Sequence, residues 1–296
     1  MITVFTPTYN RAKMLPNLYD SLLKQTYRDF EWLIVDDGST DMTEEEVKSW
    51  QKEEKIEICY YKQANGGKHR AINKGVQMAR GDFFFIVDSD DYIPANSLQL
   101  VAKHSSQIAE DYTFCGVAAN RSYPDGCRIG GDVNFDILNT DSVSFREKFH
   151  YKGDMAEVFK TEILRKYPFP EFEGEKFLTE AVVWNRIAKK YKLRYFNANI
   201  YICDYLPEGL SNNIRRHHRN SPLGTMLYYS SLTKDKRYGL KRHILDAISY
   251  WRYTWNYKGK RILPPYWVWL FFPIGVIVYF RDINKENKKY DARNNK

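Results

Sequence analysis

The 296-residue chain carries 45 Lys and Arg against 37 Asp and Glu, a formal net charge of +8, and is long enough to bury one large core or two. That balance suits nucleotide phosphates, a phosphorylated acceptor or an anionic membrane surface. No nucleic-acid partner is expected, since no finger, recognition helix or RNA-binding signature accompanies the charge, and Cys59, Cys115, Cys127 and Cys203 are widely spaced and form no Cys-x-x-Cys pair, so neither a zinc site nor a disulfide framework is supported.

Residues 2–6 read as a short apolar strand ending in Pro7-Thr8-Tyr9-Asn10-Arg11, after which Leu15, Leu18 and Leu22 recur at helical spacing. A second apolar strand over 32–35 ends in Asp36-Asp37-Gly38-Ser39-Thr40-Asp41. Residues 43–52 read as a helix, with acids crowding the first turn, where the helix dipole favours them, and with Val47 and Trp50 on one face. A third strand is expected over 56–61, then a helix from about Lys68 with Ile72, Val76 and Ala79 on one side. The run 83–87 reads as a fourth strand, buried on both faces, and it ends in Asp88-Ser89-Asp90-Asp91.

Strands alternating with helices of this length predict an α/β fold: a Rossmann-like, mostly parallel sheet with helices on both faces. In such sheets ligands bind outside the carboxyl ends of the strands. The three polar clusters each follow a strand directly and are expected to meet on one rim. Two carboxylates one residue apart at a strand end can reach a hard divalent cation, and such a cation commonly carries phosphates. Asp36 or Asp37 can accept from a base N–H and Ser39 can bond a ribose or the backbone. Thr8 and Pro7 can edge the base, and Lys68 or Arg70 can neutralise phosphate oxygens. The competing reading makes Asp36 and Asp41 turn and cap residues, and Arg11, Lys68, Arg70 and Lys74 plain surface cations.

In order and spacing these motifs resemble the family-2 glycosyltransferases, closely over about the first hundred residues and more loosely to about residue 205. The resemblance implies the A-type glycosyltransferase fold and a nucleotide-sugar donor, held by Pro7, Thr8, Tyr9, Asp36, Asp37 and Lys68, with Arg11 and Ser39 added from the residues themselves. It implies that Asp88 and Ser89 approach ribose or donor sugar, and that Asp90, with Asp88, binds a Mg2+ or Mn2+ ion bridging the diphosphate. It also implies an inverting mechanism in which Glu180, at the start of a helix with Val183, Ile187 and Ala188 on its apolar face, is the general base. Two positions depart from the family pattern: Ile72 stands where an arginine is common, with Arg70 as its substitute, and Ala181 stands where a second acid often follows Glu180. Asp154 and Glu157 are secondary acid candidates, while Glu173 and Glu175 are assigned to a solvated loop.

Past residue 100 the alternation fades. A helix over 96–109, a turn at Pro124-Asp125-Gly126 between two short strands, and a loop at Gly130-Gly131-Asp132 are expected. Arg215-Arg216-His217-His218-Arg219, after Gly209-Leu210-Ser211, reads either as a mobile loop closing on the diphosphate, with a histidine able to join the metal, or as a solvated basic loop. No charged residue occurs from 262 to 280, a stretch led in by Pro264-Pro265, rich in Trp, Tyr and Phe, and flanked by Lys and Arg. A helix after the proline pair falls short of a membrane span, and Pro273 would kink it midway, so attachment in the membrane plane or by re-entry is expected; a buried helix or dimer contact competes.

The organisation expected is therefore 1–95 for nucleotide-sugar binding, 96–220 for acceptor binding and catalysis, 221–283 as a helical membrane-associating extension, and 284–296 as a disordered polar tail. Met1 leads straight into the first strand with no room for a signal peptide, which points to a cytoplasmic enzyme peripheral to the inner face of the cell membrane. The acceptor expected there is a growing, polyprenyl-linked surface glycan, and a homo-oligomer is left open. A nucleotidyltransferase and a catalytically silent scaffold of glycan assembly stand as alternatives.

Overall fold

The computed structural model describes residues 1–203 and 214–294, the stretch 286–294 by its backbone alone. In chain order its elements are β1 (Ile2–Thr8), α1 (Leu15–Leu23), β2 (Phe30–Asp36), α2 (Thr43–Glu53), β3 (Ile58–Lys62), α3 (Lys68–Met78), β4 (Phe83–Ile86), α4 (Ser97–Ser106) and β5 (Phe114–Ser122). There follow β6 (Ile137–Thr140), α5 (Ser142–Glu147), β7 (Met155–Lys160), α6 (Thr161–Lys166), α7 (Ala181–Ile187) and β8 (Lys192–Ile202). The helices α8 (Ile214–Asn220), α9 (Pro222–Lys234), α10 (Leu240–Thr254) and α11 (Phe272–Asn294) end the chain, with a 3-10 turn over Tyr266–Phe271. The chain divides into two compact units, Met1–Glu171 with Val183–Pro207, and Phe172–Val182 with Glu208–Lys296.

The first unit is built on one eight-stranded sheet in the order β3-β2-β1-β4-β7-β5-β8-β6. Its first four strands are parallel to one another, as the alternation predicts. β7 enters antiparallel to both β4 and β5, and β8 runs parallel to β5, so the sheet as a whole is mixed. The sheet therefore crosses the expected 95/96 boundary: strands from the second half complete it.

Side-chain alternation sorts the helices onto two faces. Ile2, Val4, Trp32, Ile34, Phe85 and Val87 point into the core that α1, α2 and α4 close with Leu15, Leu18, Leu22, Val47, Trp50, Leu98 and Val101. The opposite face carries Phe5 stacked on Phe84, and Gly75 of α3 lies directly against the Phe5 ring. Each helix follows its sequence signals. Pro16 opens α1, where its missing N–H costs nothing, and Glu44, Glu45 and Glu46 fill the first turn of α2. All four residues of β4 are buried or nearly so, in keeping with a central strand.

The second unit gathers α8 to α11 around Met226, Ala247, Tyr250, Trp251 and Val268. Two expectations change here. The helix expected directly after the proline pair is instead a 3-10 turn followed by α11, and Pro273 stands in the first turn of α11, where proline is tolerated. Helix α11 also runs on to Asn294, across most of the polar stretch expected to be disordered.

Candidate functional site

Register fixes which residues share a rim. Thr8 pairs with Asp36, and Phe5 with Ile86, so the carboxyl ends of β1, β2 and β4 lie side by side. The loops that follow them are stitched together. Asn10, in a left-handed conformation at φ 53°, donates its backbone N–H to Ser39 Oγ at 2.8 Å, and its Oδ1 accepts from Thr40 N at 2.8 Å. Arg11 N donates to Thr43 Oγ1 at 3.1 Å, while Asp41 accepts from Ala12 N at 3.1 Å. Burial opposes ionisation of Asp41, but the hydrogen bonds from Thr43 and Ala12 outweigh it and hold the carboxyl below its usual range. Gly38 has φ 86°, and a Cβ there would lie 3.0 Å from Asn65 N, so the loop after β3 can come this close only to glycine.

Asp36 and Asp37 organise these loops. Asp36 is fully buried; its Oδ1 accepts from Ser39 N at 2.7 Å and its Oδ2 from the Tyr60 hydroxyl at 2.6 Å. Asp37 Oδ1 accepts from Gln63 Nε2 at 2.8 Å and Gly66 N at 2.9 Å, and its Oδ2 accepts from Gly67 N at 2.7 Å, just ahead of α3. A carboxylate offers about four acceptor positions, so both retain capacity for a ligand. Arg70 is bound to Gly66 O at 2.9 Å and to Glu171 at 3.2 Å. Its observed partners shape the loop that Asp37 grips.

At the same rim the Thr8 hydroxyl is buried and has no hydrogen-bond partner among the described residues. Tyr9 is about half exposed, Pro7 is buried within β1, and Ser89 is buried. His69 on α3 is also buried, its Nδ1 without a hydrogen-bond partner among the described residues; burial, helped by the Arg70 charge, pushes its imidazole down to about 4, so it is neutral at neutral pH. Nothing in its local sequence separates it from an ordinary helix residue.

The Asp88–Asp91 turn differentiates its carboxylates. Lys68 Nζ, at the start of α3, lies 2.6 Å from Asp88 Oδ1. Burial disfavours the charged form of Asp88, but Lys68, Arg121 and Arg11 together overcome this and hold its pKa down. Asp90 faces Arg11 Nη2 at 3.8 Å, with about a quarter of its side chain exposed. Tyr201, fully buried on β8, accepts from Asp88 N at 3.0 Å and donates to Asp91 Oδ2 at 2.6 Å, and the Arg121 guanidinium lies 4.2 Å from its ring centroid. Burial first, and then repulsion from Asp88 and Asp90, pushes Asp91 up from 3.8 to about 7. Sequence reasoning missed Tyr201, Arg121 and Tyr60, because each reaches the rim from a strand whose pairing only the fold reveals.

A testable consequence concerns Asp91. With its folded pKa raised, it contributes stability that is fully present below the unfolded value of 3.8 and is lost as pH rises through about 7. Asp91→Asn keeps an acceptor for Tyr201 and removes the titration. The melting temperature of the variant should vary less between acid and neutral pH, and exceed that of the parent at pH above 7 by roughly 2–4 °C or more. Parallel profiles for the two proteins would refute the assignment.

The donor set fits a hard divalent cation. Asp88 and Asp90 are carboxylates at a strand end, and among the described residues no group of three His, Cys, Asp or Glu gathers into a metal cage. Mg2+ and Mn2+ suit such a site, where one or two carboxylates, water and substrate phosphates share the coordination.

Glu180, half-buried, immediately precedes α7 and lies in the second unit's segment Phe172–Val182. Asp154 immediately precedes β7, and Glu157 lies within that strand. Glu175 is not solvated. It is buried, and its two oxygens accept from Leu223 N at 2.7 Å and Gly224 N at 2.8 Å, capping α9; burial raises its pKa. Residues 215–219 belong to helix α8 and are not a loop, while Gly209, Leu210 and Ser211 lie outside the described residues. His218 is buried among Phe177, Tyr229 and Tyr253, with Nδ1 3.0 Å from Thr225 Oγ1. Burial drives its pKa down to about 4, which makes it a satisfied core histidine. All four cysteines are free thiols.

The sequence model of glycosyl transferase family 2 matches residues 3–163 of this chain. Glycosyltransferase GlyG of Streptococcus pneumoniae serotype 4 is 28% identical in an alignment of 213 residues that covers 68% of this chain and 70% of GlyG. The fold is similar to that of S. aureus TarS 1-349 in complex with UDP, with a TM-score of 0.57 at 19% identity, over 96% of this chain and 88% of that one. It is also similar to the mannosyltransferase PcManGT of Pyrobaculum calidifontis in complex with GDP-Man and Mn2+, with a TM-score of 0.56 at 19% identity, over 84% of this chain and 71% of that one.

Proposed function

This chain belongs to glycosyl transferase family 2, and we propose that it is a metal-dependent, inverting enzyme that moves a hexosyl or N-acetylhexosaminyl group from a uridine diphosphate sugar to a hydroxyl of a growing surface glycan. The A-type glycosyltransferase fold and the glycosyltransferase class are established by the family and by its structural neighbours; donor, metal and acceptor are the proposal. One observation carries it. Three polar loops, following β1, β2 and β4, share a single rim, and that rim carries the carboxylates of Asp88 and Asp90 and the buried Thr8 hydroxyl, which has no hydrogen-bond partner among the described residues.

In this reading Pro7, Thr8 and Tyr9 edge the base, and Asp36, Asp37 and Ser39 accept from or bond to base and ribose. Lys68 and Arg11 supply positive charge for the diphosphate, as their present pairing with Asp88 and Asp90 supports. Asp88 and Ser89 face ribose and donor sugar. Asp90, with Asp88, would hold Mn2+ or Mg2+, which when bound neutralises charge on the departing diphosphate. Glu180 takes the acceptor hydroxyl's proton as that oxygen bonds the anomeric carbon, and the bond from that carbon to the diphosphate breaks with its electron pair leaving on the nucleotide. The acceptor is a polyprenyl-linked glycan of capsule or envelope polysaccharide synthesis, met at the cytoplasmic face of the cell membrane. GlyG, a bacterial glycosyltransferase, supports the sugar-transfer role, and the UDP bound to the similarly folded TarS supports a uridine nucleotide.

The test is release of nucleoside diphosphate from a panel of UDP- and GDP-sugars, with and without Mn2+. Turnover with a UDP-sugar that disappears on chelation is expected. Turnover indifferent to metal, or confined to a GDP-sugar, would overturn the corresponding part.

A further inference from the structure

Within the second unit, the segment from Leu263 to Lys285 has two unlike sides. On one side Val268 and Asp282 are buried, Gly275 lies so close to α10 that a Cβ would stand 2.4 Å from Trp251 Cβ, and Arg252 Nε is 2.5 Å from Asp282 Oδ2. On the other, Tyr266 is 95% exposed, Leu270 77% and Ile277 67%, with Trp269, Ile274 and Phe280 also exposed. Leu270, Ile274 and Ile277 follow one another at helical spacing, so these side chains make one stripe. The next turn of that face carries exposed Arg281 and Lys285, and Lys258 and Lys260 are exposed just before the segment.

We infer that this stripe is a one-sided anchor, lying in the plane of an anionic lipid surface with its apolar side chains in the interface and its lysines and arginine among the headgroups. The inference deepens the membrane location proposed above. Apolar side chains flanked by cations, with Trp and Tyr among them, match an interface that is greasy below and negatively charged above. Tyr266–Lys285 is long and apolar enough to be considered as a span by composition alone. The uncharged helical stretch 266–280, a 3-10 turn followed by the first part of α11, is about 25 Å long, short of a bilayer's hydrocarbon core of about 30 Å. The side facing α10 is spoken for by the Arg252–Asp282 pair, so lipid can meet the other side alone.

The test is co-sedimentation of the full chain with phosphatidylcholine vesicles, with and without phosphatidylglycerol, with nucleotide release measured in solution on the same preparations. Binding should need the anionic lipid and fall with salt. Leu270→Glu and Ile277→Glu should each weaken it about tenfold or more, and R281E with K285E should remove the preference for phosphatidylglycerol, with nucleotide release unchanged in every variant. Equal binding to both vesicle types overturns the charge element. Resistance to alkaline extraction from cell membranes overturns the in-plane anchor in favour of a span. Absence of vesicle binding, with a dimer that Leu270→Glu dissociates, makes the stripe a contact between two copies. Loss of nucleotide release in the unmodified protein would instead sink the transferase reading and leave the anchor standing.

Discussion

Asp90→Ala should cut sugar transfer by about a thousandfold or more, the scale on which removing an electrostatic or metal contact to a developing charge is felt. Asp88 is neutralised by Lys68 at 2.6 Å, and Asp91 is buried and pushed up to about 7, whereas Asp90, about as exposed as Asp88, has the Arg11 guanidinium at the longer distance of 3.8 Å. It is therefore the carboxylate best able to meet a cation without breaking a structural bond. Its removal should leave the fold intact, with stability changed by no more than about 0.5 kcal/mol. Nucleotide release with Mn2+ and melting temperature, read on the same protein, separate the two effects. Activity within a few fold of the parent would end the assignment of Asp90 to the metal.

Glu180→Gln should lower turnover by roughly a hundredfold to ten-thousandfold, the range for loss of a positioned general base. The substitution keeps the shape of the side chain and removes its ability to hold a proton taken from the acceptor. Donor affinity, read by titration with UDP and Mn2+, should stay unchanged, so that kcat falls while donor binding does not. Ala181, in place of a second acid, leaves Glu180 without an adjacent substitute. If Glu180→Gln turns over normally and Asp154→Asn or Glu157→Gln does not, the base lies with one of those residues.

Much of the first unit was legible. Runs of four to six mostly apolar residues, three of them followed directly by Asp or Pro, predict strand ends within two residues of where β1 to β4 stop. Leucine spacing predicts α1, and the acidic first turn predicts α2. These signals are local, set by side-chain period, turn chemistry and helix dipole, and short-range energetics suffice to read them. Errors came where long-range partners decide. Glu175 looks like a loop acid until Leu223 and Gly224 bring the start of α9 to it. The basic run at 215–219 reads as loop, yet forms α8, with His218 buried against Phe177, Tyr229 and Tyr253.

Sequence alone determined that polar loops follow strands β1, β2 and β4, and hence that they share a rim, because parallel strands joined by helices all point their carboxyl ends the same way. Only the tertiary structure decided how the acids on that rim divide their work. Asp36 and Asp37 hold loops, Asp88 is neutralised by Lys68, Asp91 is buried and bonded to Tyr201, and Asp90 keeps the longer contact to Arg11 at 3.8 Å. The physical reason is that a carboxylate's charge state depends on burial and on neighbours within a few ångströms. Asp91 is raised by burial and by Asp88 and Asp90 beside it, against the hydrogen bond from Tyr201, which lies 110 residues away in the chain on a strand inserted from the second half.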